Sequence, residues 1–250
     1  MSGHSKWSTI KHKKAAADAK RGKIFTKLIK EITVAAKMGG GEIEANPRLR
    51  LAVNAARGKN MPNDTIKRAI QKGAGGNDGM DFEEIVYEGY GPAKVAVVIE
   101  ALTDNRNRTV ASIRHAFTKY NGSLGATNSV QYMFDRKGTL QVPKSAIDED
   151  TLTEYILEAG ADDMEDQGEH YLVICEPAAF EDVKAFLEDK SVEVGEVEMQ
   201  RLPQNKVSIE DKEDAERVLN FLDVLEEDDD VQKVFANFEI DDALMDELAG

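Results

Sequence analysis

TLQVPKSAIDEDTLTEYILEAGADDMEDQGEHYLVICEPAAFEDVKAFLEDKSVEVGEVEM, residues 139–199, carries a complete fold order within itself. Thr139 to Val142 reads as a strand and Glu149 to Ala159 as a helix with a 3.6-residue apolar period. Strands follow near Asp162 to Asp166 and at Tyr171 to Cys175, then a helix at Ala178 to Leu187 and a strand at Val192 to Met199. This is βαββαβ, the ferredoxin-like split unit. What flanks it is incomplete. Downstream, Ile209 to Leu225 reads as a helix and Val231 to Phe235 as a strand, and one helix with one strand cannot bury both apolar faces. Upstream, Glu84 to Tyr87 and Lys94 to Leu102 are strands joined by a turn at Gly89 and Gly91-Pro92. Thr109 to Tyr120 is a helix with Val110, Ile113 and Phe117 inward, and Ser129 to Phe134 is a third strand. The economical solution returns the downstream pieces to the upstream sheet. Residues 80–135 plus 205–240 then form a discontinuous α/β middle domain, with residues 136–204 inserted as an acidic ferredoxin-like domain.

Residues 1–76 follow a different period. Phe25, Leu28, Ile29, Ile32 and Ala36 recur at three and four residues, one buried helical stripe, and Gly39-Gly40-Gly41 ends it. Asn46 as N-cap and Pro47 in the first turn open a second helix through Leu49, Ala52, Val53 and Ala56 to Gly58. A third begins near Asn63 or Asp64, turns Ile66, Ala69 and Ile70 inward and stops at Gly73. GAGGNDG, residues 73–79, reads as a linker. The expected fold class is therefore α+β multidomain, beginning with a helical bundle.

Charge is divided along the chain. The 250 residues sum to a net −15. Residues 1–72 hold 17 Lys or Arg against 5 acids, a net of +12, whereas residues 131–250 hold 10 bases and 35 acids, a net of −25. The basic segment suits phosphate and the acidic remainder repels a polyanion. A competing expectation is that the two halves fold against each other and mask the basic face. Val95 to Ile99 is the longest apolar run, far below the ~20 residues of a bilayer span, so no membrane partner is expected. Cys175 is the sole cysteine, which excludes an intrachain disulfide. The basic start has no apolar core behind it, so the expected location is cytoplasmic.

Motifs for catalysis are missing. The chain has no phosphate-binding G-x-x-x-x-G-K-[ST], no H-E-x-x-H and no G-x-S-x-G. His4, His12, His115 and His170 are scattered, Cys175 falls in an apolar strand, and the run Glu226 to Asp230 lacks the glycine and spacing of a calcium loop. The expectation is a non-enzymatic protein with no cofactor, no metal and no small-molecule substrate.

Nucleic acid is the better-supported partner. The N-terminal arm mixes Lys6, Lys11, Lys13, Lys14, Lys20, Arg21 and Lys23 with Trp7, which either stacks on a base or anchors the arm by packing. Lys27, Arg48 and Arg50 extend the basic set onto the helices. DNRNRT, residues 104–109, stands where a strand gives way to a helix; Arg106 and Arg108 there offer forked donors to phosphate, or pair with nearby acids. YEGYGP, residues 87–92, reads as turn chemistry with core aromatics and receives no ligand.

GHSKW (3–7), KAAADAKRGKIFTKLIKEITVAAKMGGG (14–41), NPRLR (46–50), NMPNDTIKRAI (60–70), YEGYGP (87–92) and LTDNRNRTVASIRHAF (102–117) together resemble the YebC/PmpR family. The resemblance covers essentially the whole chain, is dense over residues 3–130 and thins over the acidic residues 136–200. It implies three domains and no enzymatic activity. Members are commonly described as DNA-binding transcriptional regulators; a second description makes them ribosome-associated translation factors that bind ribosomal RNA and relieve stalled translation. A mitochondrial branch is described as translational activators. This chain starts directly on the family motif, which implies a bacterial cytoplasmic member.

Overall fold

The computed structural model describes residues 17–75 and 82–249. α1 (Ala17–Gly39) buries Ile32, Val34, Ala35 and Ala36 and half-buries Phe25, Leu28 and Ile29. Gly40, at φ +85°, supplies the left-handed residue just past its end. α2 (Pro47–Gly58) is capped by Asn46, whose Oδ1 accepts from the Leu49 amide at 3.1 Å. The same side chain donates from Nδ2 to Ala35 O at 2.8 Å and Gly40 O at 2.9 Å. One buried amide thus starts α2 and fixes it to the end of α1. α3 (Asn63–Ala74) completes the bundle around Ile32, Leu49, Val53, Ala56, Met61 and Ile66.

Gly73 does not stop α3; it lies within the helix, where α3 crosses α1. A Cβ there would sit 2.2 Å from the Thr33 carbonyl oxygen and 2.8 Å from Ala36 Cβ, so the crossing admits only hydrogen. The expected linker accordingly begins later: Gly75 is the cap, and residues 76–81 lie outside the described ones.

β1 (Glu83–Tyr90) pairs antiparallel with β2 (Ala96–Thr103), and α4 (Arg106–Lys119) follows, capped by Asn105. β3 (Ser123–Leu124) pairs with the end of β1. The fourth strand of this sheet comes from beyond residue 204. β9 (Val231–Ala236) pairs antiparallel with β2, Val97 opposite Ala236 and Ile99 opposite Val234, giving the order β3-β1-β2-β9. α7 (Lys212–Glu226) packs with α4 on one face through Phe117 and Phe221, whose rings meet edge-on at 4.9 Å. β8 (Val207–Ile209) and β10 (Phe238–Ile240) form a separate parallel pair, and α8 (Asp242–Ala249) follows.

The expected strand Ser129 to Phe134 is not one. The buried carboxylate of Glu88 on β1 accepts from the amides of Asn128 (2.7 Å), Val130 (3.0 Å) and Gln131 (2.8 Å) and from Gln131 Nε2 (2.9 Å). Those backbone donors are spent on a side chain, so the segment folds into a short 3₁₀ turn at Gln131–Met133 instead of joining the ladder. The place at the sheet edge goes to β3. Burial works against the Glu88 charge, but the amides outweigh it and hold its pKa below the ordinary carboxylate value.

Residues 134–204 make a compact unit of their own; the rest of the described chain makes the other. In the first, β4 (Phe134–Pro143), α5 (Glu149–Ala159), β5 (Asp163–Asp166), β6 (His170–Cys175), α6 (Phe180–Asp189) and β7 (Val197–Pro203) follow in βαββαβ order. The antiparallel sheet runs β5-β6-β4-β7. A Cβ on Gly138 of β4 would lie 2.3 Å from the Phe180 ring, so the glycine lets α6 lie close on the sheet. The last strand begins five residues later than its apolar pattern suggests, because Val192 is buried just beyond α6 before the ladder starts. The fold class found is the α+β arrangement read from the sequence, a helical bundle, a discontinuous α/β sheet domain and an inserted ferredoxin-like unit.

Candidate nucleic-acid interface

Lys23, Lys27 and Lys30 stand at i, i+4 and i+7 on α1 and share one face. Each ammonium is already engaged. Lys23 donates to Glu227 O at 3.1 Å, Lys27 to Glu226 O at 2.6 Å, and Lys30 to Asp229 O at 2.7 Å and Asp230 Oδ1 at 2.9 Å. The acceptors are the end of α7 and the turn into β9. Carbonyls there have no partners within the helix, and a helix C-terminus carries partial negative charge. Burial dominates at Lys27 and lowers its pKa, against the raising fields of Glu226, Asp228 and Asp229.

Asp230 is the centre of this junction. Its carboxylate is 5% exposed. Besides Lys30 it accepts from Arg108 Nε at 3.1 Å, from Arg108 Nη2 at 2.7 and 2.9 Å, and from Thr109 Oγ1 at 2.9 Å. Burial raises its pKa, yet the hydrogen bonds from Lys30, Arg108 and Thr109 overcome that and bring it down to about 2. Arg108 also reaches Asp104 Oδ1 at 2.9 Å. Of the two readings of DNRNRT, Arg108 therefore takes the acid-pairing one, while Arg106 is exposed at the start of α4.

Arg48 on α2 is also paired. Its guanidinium grips Glu31 of α1 at 2.7 and 3.1 Å and contacts Glu84 of β1. Burial opposes the charge, but these two carboxylates raise its pKa further above the ordinary arginine value. Arg50 donates to Glu44 O at 3.1 Å. Arg21 is exposed and lies over the Phe25 ring at 5.7 Å. Lys6, Trp7, Lys11, Lys13 and Lys14 lie outside the described residues, as does the side chain of Lys20.

Lys23, Lys27, Arg48 and Arg108 make the contacts described above; Arg57, Lys59, Lys67, Arg68 and Lys72, on and between α2 and α3, have solvent-exposed side chains. Arg68 turns its Nε to the Asp64 carbonyl at 3.2 Å rather than to a carboxylate. Between residues 47 and 75 seven basic residues face a single acid, Asp64. Lys30 and Asp230 were absent from the sequence-derived site. The signal was present, since the run Glu226 to Asp230 is complementary to the lysine stripe of α1.

Among the described residues no cluster of three His, Cys, Asp or Glu side chains is placed to hold a metal ion, and no helix is long and apolar enough to cross a membrane. Cys175 is buried, and burial pushes its thiol up to about 11, away from nucleophilic use.

A cationic helical bundle joined to a discontinuous sheet with a ferredoxin-like insertion defines a class that comparison with known proteins specifies. Residues 5–76 match the family model for the TACO1/YebC protein N-terminal domain, and residues 82–238 match that for the TACO1/YebC second and third domain. The chain belongs to the TACO1/YebC family. A relative from Desulforapulum autotrophicum, named a "probable transcriptional regulatory protein", is 54% identical over 248 residues, covering 99% of this chain and 100% of the relative. One of the same name from Persephonella marina is 50% identical over 250 residues, 100% of both chains. The crystal structure of a conserved hypothetical protein from Aquifex aeolicus is 47% identical and superposes with a TM-score of 0.84, covering 92% of this chain and 94% of that one.

Proposed function

We propose that the protein is a nucleic-acid-binding regulator of gene expression in the cytoplasm, acting on DNA as a transcriptional regulator through the outer face of α2 and α3. The observation that carries this is the solvent-exposed cationic face of α2 and α3, where seven basic residues between 47 and 75 face a single acid. α2 and α3, each 12 residues long, are joined by only four residues, 59–62. The exposed side chains of α3 include Asn63, Asp64, Lys67, Arg68 and Gln71. Lysine and arginine hold phosphate, while Asn, Gln and Arg have the donor and acceptor pattern that reads base edges. The names of the relatives support a regulator.

The test is fluorescence anisotropy with full-length protein and labelled duplex DNA across a salt series. Lys67→Ala with Arg68→Ala should weaken binding and make the slope of log K against log salt shallower by about 2, because each phosphate left unneutralised keeps its counterion. Unchanged affinity and slope would overturn the reading.

The net −25 of residues 131–250 favours a second reading, because so much negative charge is poorly placed beside a continuous duplex. In it the same cationic face binds ribosomal RNA, and the protein is a ribosome-associated translation factor that relieves stalled translation. Sedimentation of lysate at low and high salt separates the two: salt-sensitive co-migration with ribosomal particles supports translation, and confinement to the top fractions supports DNA.

A further inference from the structure

The hairpin end of the middle sheet presents aromatic side chains to solvent. Tyr132 is 69% exposed and Tyr90 39%, two of the four large apolar side chains exposed in the described chain. They belong together, since Tyr90 OH lies 4.0 Å from the sulfur of Met133, the neighbour of Tyr132. On β1 the odd positions Tyr87 and Gly89 face the α4–α7 core, so Tyr90 shares the opposite face with Glu88. The backbone beside each tyrosine is held in place. Four hydrogen bonds to Glu88 fix the loop that leads into Tyr132. The β1–β2 turn beside Tyr90 closes through Gly91 N to Val95 O at 2.8 Å. It keeps Ala93 at φ 52° and Lys94 at φ 59°, a left-handed pair costly for non-glycine residues.

The charge around this end is one-sided. Residues 89–99 contain no acid and residues 105–134 contain none, in a protein of net charge −15. Lys94 is exposed in the turn. The segment that follows α4 abuts the hairpin, because a Cβ on Gly122 would meet Tyr90 O at 2.7 Å and Gly91 Cα at 3.0 Å. The nearby Glu88 carboxylate is buried and its charge is taken up by four donors. Exposed aromatics beside a lysine are the elements with which proteins hold unpaired bases: rings stack and an ammonium meets phosphate.

We propose that Tyr90 and Tyr132 form a stacking surface for unpaired bases of a single-stranded nucleic acid, with Lys94 of the adjoining turn meeting its phosphates. This deepens the proposed function, on which it rests, by assigning single-stranded segments to the middle domain and duplex to α2–α3. The experiment uses full-length protein with a labelled short oligouridylate and, separately, a labelled duplex. Tyr132→Ala should weaken oligouridylate binding roughly 5- to 150-fold, the range for losing one stacked base. Tyr132→Phe should restore it, and neither should change duplex binding. Lys94→Gln should reduce the oligouridylate salt slope by about 0.7. With 4-thiouridine in the probe, photocrosslinks should map to Tyr90, Tyr132 or their neighbours. Wild-type oligouridylate affinity in Tyr132→Ala, or crosslinks confined elsewhere, would overturn the proposal. So would no oligouridylate binding by the wild type at low salt, which would make a protein the occupant of this face. Failure of the α2–α3 reading looks different: Lys67→Ala with Arg68→Ala would leave duplex binding intact while the Tyr132 effect persisted.

Discussion

Lys30 and Asp230 meet at 2.9 Å, joining the helical bundle to the turn between α7 and β9. The pair matters because it is shared. Asp230 also takes Arg108 and Thr109 from α4, and its backbone oxygen accepts from Leu102 N on β2 at 2.7 Å. One aspartate therefore ties α4 and the bundle through its carboxylate, and β2 through its carbonyl, to the turn between α7 and β9.

Replacing Asp230 with Asn should cost about 3–5 kcal/mol in urea unfolding, as expected when one member of a buried ion pair is removed. The pH dependence follows from the depressed pKa. Its folded value of about 2 lies below the ordinary value of 3.8, so the stabilisation is complete above pH ~4 and is lost as pH falls toward 2. The gap in stability between wild type and Asp230→Asn should narrow over that window; a constant gap would refute the account.

Lys27 has the opposite sign. Burial disfavours its ammonium, so its folded pKa lies below 10.5 and protonated Lys27 opposes folding at neutral pH. Lys27→Met should leave stability unchanged or raise it, since the long apolar stem keeps its packing. Relative to that variant the wild type should gain stability as pH rises toward 10. Its duplex affinity should match the wild type, in contrast to Lys67→Ala with Arg68→Ala.

Glu88→Gln tests the loop cage. The amide keeps one acceptor oxygen but loses the charge that four donors share. A cost of about 1–3 kcal/mol is expected, the range for leaving buried donors unsatisfied. Hydrogen exchange should quicken at Asn128, Val130 and Gln131 while the β1–β2 ladder stays protected.

What could be read from the sequence was what depends on period. The helical stripe from Phe25 to Ala36, the Asn46 cap and the βαββαβ order of residues 139–199 come from local spacing, and they recur in the structure with shifted ends. What escaped depends on partners distant in sequence. Ser129 to Phe134 has strand composition, but Glu88, some forty residues earlier, takes its amides. Gly73 resembles a helix stop because glycine usually is one; here it answers to the Thr33 carbonyl. Among the candidate ligands, Lys23 and Lys27 look like phosphate donors on α1 and find acceptors about two hundred residues away. Sequence spacing shows which residues share a helix face and is silent on what covers that face.

Excision of the inserted unit is the strictest test of the sheet assignment. Phe134 opens β4 and Pro203 ends β7, and the two are paired across the ladder, so the chain enters and leaves residues 134–204 at adjacent points. A short Gly/Ser linker can span that gap, and loop closure adds little cost at such lengths. The partners left behind complete one another: β9 still pairs with β2, and Phe221 of α7 still packs on Phe117 of α4. Replacing residues 134–204 by such a linker should therefore leave a soluble protein with one cooperative thermal transition and a protected β2 in hydrogen exchange. A chain that expresses only as an aggregate, or melts without cooperativity, would show that the β3-β1-β2-β9 sheet needs the inserted unit to fold.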